Sequence, residues 1–218
     1  MTRGISQVLR DQSRVTQAIW LALLVAAGEA LWTGRYSLAF VALVTIGLSI
    51  LPVYVARWAQ IQVPKSFMLA VVMFVGGTIF LGEVADFYNR FWWWDIAMHG
   101  GSAVGFGLIG FVLVFMMFQG DRFAAPPAAI AVFAFCFAVA IGAMWEIFEF
   151  SMDELFGFNM QKSGLRDTMG DLIVDCGGAL LGAGSGYAYL RGKAAGGLAG
   201  LIEDFVTRNP RFFKKRRK

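Results

Sequence analysis

Six runs of about twenty apolar residues constrain this chain more than any other feature of its sequence. They fall at 16–34, 36–55, 66–85, 94–118, 128–150 and 167–190. An α-helix rises about 1.5 Å per residue, so about twenty residues cross a hydrocarbon core of about 30 Å. A membrane β-barrel would instead need short segments of alternating polarity. The sequence therefore predicts an all-α polytopic membrane protein with six transmembrane helices.

The composition excludes the main alternatives to a membrane protein. The chain is 58% apolar and 16% charged, whereas soluble domains are about 45–50% apolar and about 25% charged. Pro52 is expected to end the second span, and Pro126 and Pro127 precede the fifth. The first run begins like a signal peptide but continues through Trp32, which predicts an uncleaved helix.

Lysine and arginine predict the orientation, because they accumulate on the cytoplasmic side of membrane proteins. With six spans, fifteen of the 19 fall on one side, within the N-terminal arm, two loops and the C-terminal tail. Only Arg35, Arg90, Lys162 and Arg166 fall on the other. We therefore expect both termini to be cytoplasmic, with a basic arm at 1–15, a membrane domain at 16–190 and a tail at 191–218.

The tail combines an amphipathic stretch with a polybasic end. Leu198, Leu201, Ile202 and Phe205 form the apolar stripe, and the chain closes with basic residues from Lys214 to Lys218. Such an end favours contact with anionic lipid. Because the basic end is typical of a lipid contact, we expect no nucleic-acid partner. No glycine-rich phosphate loop occurs in the sequence, so we expect no nucleotide cofactor.

Acidic residues concentrate in the predicted outer half, at helical spacing on three spans. The fourth span places Asp95 and His99 one turn apart, which puts them on one face. The other two sets, on the fifth and sixth spans, are Glu146, Glu149 and Asp153, and Asp167, Asp171 and Asp175. Glycines at 101 and 105, and at 178, 182 and 186, would let these helices approach closely. We expect the three polar faces to meet at one depth.

Carboxylates inside a membrane must be neutralised by protons, a metal ion or basic groups. Carboxylates and one imidazole suit Mg²⁺, Mn²⁺, Fe²⁺, Zn²⁺ or Ca²⁺. The predicted metal ligands are Asp95, His99, Glu146, Glu149, Asp167 and Asp171. Glu149 and Asp175 are the predicted acid–base groups. Arg90, Lys162 and Arg166, at the rim, would hold an anionic headgroup.

Four motifs together resemble the YjdF-like family of bacterial inner-membrane proteins and, more distantly, VanZ-like proteins. They are Asp95-x-x-x-His99, Trp145-Glu146-x-x-Glu149, Asp167-Thr168-x-x-Asp171 and Gly177-Gly178-Ala179-Leu180. The resemblance implies a multi-pass protein of the bacterial cytoplasmic membrane, with polar residues inside the membrane and a link to the cell envelope.

Three functions fit these residues. The first is a metal-dependent enzyme that acts on a lipid-like or envelope substrate from the outer leaflet. The second is a proton- or cation-coupled transporter, although only a few hydroxyl groups continue the polar path into the inner half. The third is a structural or assembly subunit, whose acids and histidine bind helices together and whose partner is another membrane protein.

Overall fold

The computed structural model describes residues 5–118, 125–193 and 196–213, and the regular structure of these residues is entirely helical. The predicted all-α class is therefore confirmed. In chain order the helices are α1 (Ile5–Arg10), α2 (Arg14–Trp32), α3 (Tyr36–Trp58), α4 (Lys65–Val75, continued by a π-helix at Gly76–Val84), α5 (Phe87–Arg90), α6 (Trp94–Phe118), α7 (Pro127–Phe156), α8 (Leu165–Leu190), α9 (Gly197–Arg208) and α10 (Pro210–Phe213).

Five helices in the described part of the chain are long and apolar enough to cross a membrane. They are Arg14–Trp32, Tyr36–Trp58, Lys65–Val84, Trp94–Phe118 and Pro127–Phe156. Helix α8 has 26 residues, which is sufficient length. It is not among the five because acidic side chains and glycines make it much less apolar. The number of six spans and the cytoplasmic termini remain predictions.

The helix boundaries depart from the predicted ones by more than two residues at two places, the ends of α3 and α7. Pro52 lies inside α3, which continues to Trp58, so the expectation that this proline ends the helix is wrong. Membrane helices tolerate an interior proline because neighbouring groups satisfy the freed carbonyl. Helix α7 starts at Pro127, as expected, but extends to Phe156 and ends at Gly157 in the left-handed conformation.

The chain forms two compact units, Met1–Trp94 and Asp95–Lys218. In the first unit, α2 and α3 pack through small buried residues, among them Ala30 and Ala42. The Trp20 indole Nε1 donates a hydrogen bond of 2.9 Å to Ser49 Oγ, which joins these two helices inside their interface.

The core of the second unit is aromatic and aliphatic. It contains Leu108, Phe111, Phe115, Ile130, Ala134, Ala183 and Ile202, from α6, α7, α8 and α9. Helix α9 is the predicted amphipathic stretch, and it buries Ile202 in this core instead of leaving its whole apolar face free. The polybasic end at 214–218, like Arg3 and Arg122, lies outside the described residues.

Candidate functional site

Helix α6 brings the first two polar residues of the site together. Asp95 lies in its first turn and His99 one turn later, so both side chains leave the same face. The His99 Nε2 atom is 3.9 Å from Asp95 Oδ1. His99 is 8% exposed, whereas Asp95 is half-buried at the start of the helix.

Helix α7 contributes Glu146, which is 3% exposed. Its Oε1 atom lies 3.9 Å from His99 Nε2, on the same side of the imidazole as Asp95. Neither carboxylate oxygen has a partner of hydrogen-bonding geometry among the described residues. Glu146 is therefore a buried acid with unused acceptor capacity.

Helix α8 contributes Asp171 and Asp175, one turn apart and exposed by 5% and 2%. The Asp175 Oδ1 atom is 3.5 Å from His99 Nδ1, so it lies on the opposite side of the ring from Glu146. The second Asp175 oxygen, Oδ2, is buried without a hydrogen-bond partner in the described part of the chain. His99 is thus bracketed by carboxylates on both of its nitrogens.

Glycines allow α6 and α8 to approach closely enough for these contacts. A methyl group at Gly178 would meet the Gly100 carbonyl oxygen at 2.5 Å, and one at Gly182 would lie 3.0 Å from Gly107 Cα. These two glycines confirm the predicted small-residue face of α8. On α6 the predicted pair is wrong, because a methyl group at Gly101 or Gly105 would touch no described atom within 4 Å.

Asp95, His99 and Asp171 form the group best placed to hold a metal ion. Each offers one ligand atom, and these atoms lie within 4.8 Å of one another. Because Glu146 of α7 lies 3.9 Å from the same imidazole, the three polar faces meet, as the helical spacing predicted. Two carboxylates and one imidazole are ligands that Zn²⁺, Mn²⁺ and Fe²⁺ accept. The second unit therefore contains a buried Asp/His/Asp group that could bind a metal ion.

Two of the predicted ligands are engaged differently. Glu149 is half-buried, and its Oε1 accepts a hydrogen bond of 2.8 Å from the Trp145 indole on the same helix. Asp167, in the first turn of α8, accepts a hydrogen bond of 3.1 Å at Oδ2 from the backbone N–H of Lys162, in the loop that precedes this helix. Neither residue belongs to the three-residue group, so its predicted role as a ligand stays a prediction.

The loop between α7 and α8 is tied to the end of α7. The Asp153 carboxylate accepts hydrogen bonds from the backbone N–H groups of Met160 and Gln161, at 2.7 Å and 2.9 Å. Gln161 in turn reaches Thr168 on α8. This arrangement gives Asp153 a structural role that its helical spacing did not reveal, because the spacing describes one helix and the partners belong to a loop.

The three basic residues predicted for an anionic headgroup are exposed, but they do not all belong to one unit. Lys162 is in the loop before α8 and Arg166 is in the first turn of that helix. Arg90 ends α5 and belongs to the first unit. Arg166 is the single lysine or arginine in α6, α7 and α8 together. These helices therefore supply little positive charge to the buried acids.

One residue of the site was missed in the sequence. Gly142 lies on α7, one turn before Glu146, and a methyl group there would overlap the Asp175 carboxylate. The sequence signal was a glycine four residues from an intramembrane acid. It is a weak signal because glycine is frequent in membrane helices.

The fold and the site define a class: a helical membrane protein with a buried acid–histidine cluster that could bind a metal ion. The chain belongs to the DUF2238 family of predicted membrane proteins, whose family model matches residues 13–192. These comparisons do not confirm the resemblance to YjdF-like and VanZ-like proteins.

One relative adds to this assignment without adding a function. The chain is 33% identical over 100 residues to a protein of Thermotoga maritima described as uncharacterized. The match covers 44% of this chain and 48% of the relative, so it spans about half the length of each. No solved structure matches the chain significantly.

Proposed function

We propose that this protein is a membrane-embedded, metal-dependent enzyme whose divalent cation is bound by Asp95, His99 and Asp171, with Glu146 as a further ligand. The observation that carries the proposal is the Glu146 carboxylate, buried and unpaired at 3.9 Å from the imidazole of the three-residue group. Two ligand atoms about 2.1 Å from one metal ion are at most about 4.2 Å apart. The separation of Glu146 Oε1 and His99 Nε2 therefore suits two ligands of one ion.

The charge balance supports a bound cation. Asp95, Glu146, Asp171 and Asp175 surround a single imidazole, and the only lysine or arginine of the three helices is the exposed Arg166. Like charges in a medium of low dielectric are strongly unfavourable unless they are neutralised. A divalent cation would neutralise two of these charges and give the unpaired Glu146 carboxylate a partner.

The ligand set narrows the choice of metal. Mg²⁺ and Ca²⁺ prefer oxygen ligands alone, whereas Zn²⁺, Mn²⁺ and Fe²⁺ also accept imidazole. Because His99 is central to the cluster, we favour these three ions. Such an ion, once bound, activates water or polarises a phosphoryl or carbonyl oxygen.

The remaining polar residues then have roles around the ion. Glu149, one turn beyond Glu146 and still partly accessible, is the proposed acid–base residue. Lys162 and Arg166 are the proposed partners of an anionic headgroup, and the same role for Arg90, in the first unit, stays a prediction from the sequence. The substrate class that follows is a lipid-linked or other amphipathic molecule, which reaches the site from the outer leaflet of the bacterial inner membrane.

This topology is itself part of the proposal. It requires six spans, with the loop after α7 outside and the polybasic tail on anionic cytoplasmic lipid. A cysteine introduced as Met160→Cys, with Cys136 and Cys176 replaced by Ser, should react with an impermeant maleimide from the outside of intact cells. Labelling only from the cytoplasmic side would overturn the orientation.

Metal content tests the enzyme hypothesis directly. Protein purified in mild detergent without chelator should contain about one divalent ion per chain, measured by inductively coupled plasma mass spectrometry. His99→Ala and Glu146→Ala should lose it, and Glu154→Ala, an exposed acid on the same helix as Glu146, should retain it. A metal-free wild type that stays folded would reject the metal site and favour the structural subunit.

The transport alternative would need a polar path through the inner half of the membrane. The hydroxyl groups predicted to line that path are Thr45, Ser49 and Ser185. Thr45 and Ser185 each donate to a backbone carbonyl of their own helix, at 2.8 Å and 2.7 Å. Ser49 donates to the Ile46 carbonyl and accepts from Trp20. These hydroxyls are therefore already engaged in local hydrogen bonds.

A further inference from the structure

We infer that Asp175 is a positioning residue for His99, which it holds with Nδ1 facing its own carboxylate so that Nε2 faces the metal ion. The inference rests on the proposed function and reassigns Asp175, predicted from the sequence as an acid–base group. It also assigns Gly142, on the neighbouring helix, as the residue that makes room for this carboxylate.

The two ring nitrogens of His99 face different partners. Nδ1 lies 3.5 Å from Asp175 Oδ1, within reach of a hydrogen bond after a small side-chain rotation. Nε2 lies 3.9 Å from both Asp95 Oδ1 and Glu146 Oε1, which is too long for a hydrogen bond and suitable for shared ligation. The geometry therefore separates an orienting side of the ring from a ligating side.

This division follows a general rule of metal sites. A ligating histidine almost always donates its other ring N–H to a carboxylate, a carbonyl or water. The donated hydrogen bond selects the tautomer, fixes the ring plane and makes the ligating nitrogen more basic. Asp175 is the acid on the Nδ1 side of His99, and it is buried to 2% exposure.

Helix α7 restricts where the Asp175 carboxylate can lie. A methyl group at Gly142 would overlap Asp175 Oδ2 and also lie 3.3 Å from Asp175 Cβ. Any side chain at 142 must therefore push Asp175 away from its present position beside His99. Helix α8 supplies the orienting carboxylate, and the bare backbone of α7 leaves the space that it occupies.

The single histidine of the chain makes the inference measurable. With ¹⁵N-labelled histidine, every imidazole signal comes from His99, and the two nitrogen shifts report its tautomer. We expect the Nδ1–H tautomer in metal-free wild type in lipid bilayers, measured at alkaline pH, where the imidazole is neutral. Asp175→Ala should lose this preference, and Asp175→Asn, whose amide oxygen still accepts a hydrogen bond, should restore it.

Metal affinity provides the second readout. Loss of an orienting partner weakens metal binding by about 10–100-fold. We expect this loss for Asp175→Ala and for Gly142→Ala, and a smaller one for Asp175→Asn. Gly177→Ala is the matched control, because a methyl group there meets no described atom within 4 Å. Gly142→Ala also keeps the test valid if Asp175→Ala does not fold.

The two readouts separate this inference from the proposed function. A wild type that binds no metal but holds the Nδ1–H tautomer, lost in Asp175→Ala, rejects the enzyme and supports the positioning role. A wild type whose neutral imidazole is the Nε2–H tautomer overturns the positioning role even if metal binds. The positioning role is also overturned if Asp175→Ala has the same His99 tautomer and the same metal affinity as the wild type.

Discussion

Buried polar side chains in the two units differ in whether they have hydrogen-bond partners. In Met1–Trp94 the buried Ser49 hydroxyl donates to one group and accepts from another, and the acids Glu29, Glu83 and Asp86 are exposed. In Asp95–Lys218 the carboxylates of Glu146 and Asp175 are nearly inaccessible and keep unpaired oxygens. The buried hydroxyl of Ser49 is therefore satisfied by its neighbours, whereas the buried carboxylates of Glu146 and Asp175 are not.

This contrast indicates where the function lies. An unsatisfied buried polar group costs about 1–3 kcal/mol, and a charged one costs more. A helix bundle that served only to span the membrane would gain stability by replacing Glu146 and Asp175 with apolar residues of similar size. Their burial beside His99 supports the proposed metal site in the second unit.

The largest expected effect tests this contrast with one acid from each unit. Asp171→Ala should reduce bound metal from about one ion per chain to almost none, because it removes a ligand of the three-residue group. Glu29→Ala breaks an exposed ion pair with Arg35 and should leave the metal content unchanged. Mass spectrometry measures the metal content of both variants, and equal metal content in the two would contradict the proposed metal site in the second unit.

The next effect concerns packing, and its sign should differ between the units. Gly182→Ala should lower the free energy of unfolding by about 2–3 kcal/mol, because the methyl group meets the backbone of α6. Gly47→Ala, in the first unit, meets no described atom within 4 Å and should raise that free energy by about 0.5–1 kcal/mol. Reversible unfolding in bicelles measures both. Two changes of the same sign would show that close approach does not limit α8.

A smaller, local effect is expected at the loop after α7. Asp153→Ala removes the acceptor for the Met160 and Gln161 backbone N–H groups. Hydrogen bonds to a charged acceptor contribute about 1.5–3 kcal/mol, so amide exchange at these two positions should accelerate about tenfold or more. The neighbouring Glu154→Ala is the control. Unchanged exchange in Asp153→Ala would mean that the loop is held by other contacts.

The smallest effect belongs to the first unit. Trp20→Phe removes the indole donor to Ser49, which keeps its hydrogen bond to the Ile46 carbonyl. The free energy of unfolding should fall by about 0.5–1.5 kcal/mol. Metal content should not change, and Trp58→Phe, at an exposed position, should affect neither quantity. A loss of metal in Trp20→Phe would contradict the assignment of the site to the second unit.

Much of the fold could be predicted because membrane helices obey local rules. Apolar runs of span length predicted the helices, and the predicted limits of α6 at 94 and 118 agree with the structure. Pro127 begins α7 for the local reason that its missing N–H is not needed in the first turn. The prediction that Pro52 ends its helix was wrong, because the effect of an interior proline depends on the neighbours of the helix and not on the residue alone.

The candidate site could also be predicted in part. Helical periodicity alone put Asp95 with His99 and Asp171 with Asp175, since residues four apart share a face. It did not show that Asp175 faces Nδ1 while Glu146 faces Nε2. It also predicted Gly101 and Gly105 as the closely packed glycines of α6, whereas Gly100 and Gly107 are the ones that meet α8.

By itself, then, the sequence determined that this chain is helical, that it belongs in a membrane, and which acids share a helix face, because these properties depend on spacing and composition within one segment. The tertiary structure alone decided which faces meet, which nitrogen of His99 each acid approaches, and why position 142 is glycine. Those relations join residues on different helices. They depend on the rotation and the close approach of packed backbones, which no single segment encodes.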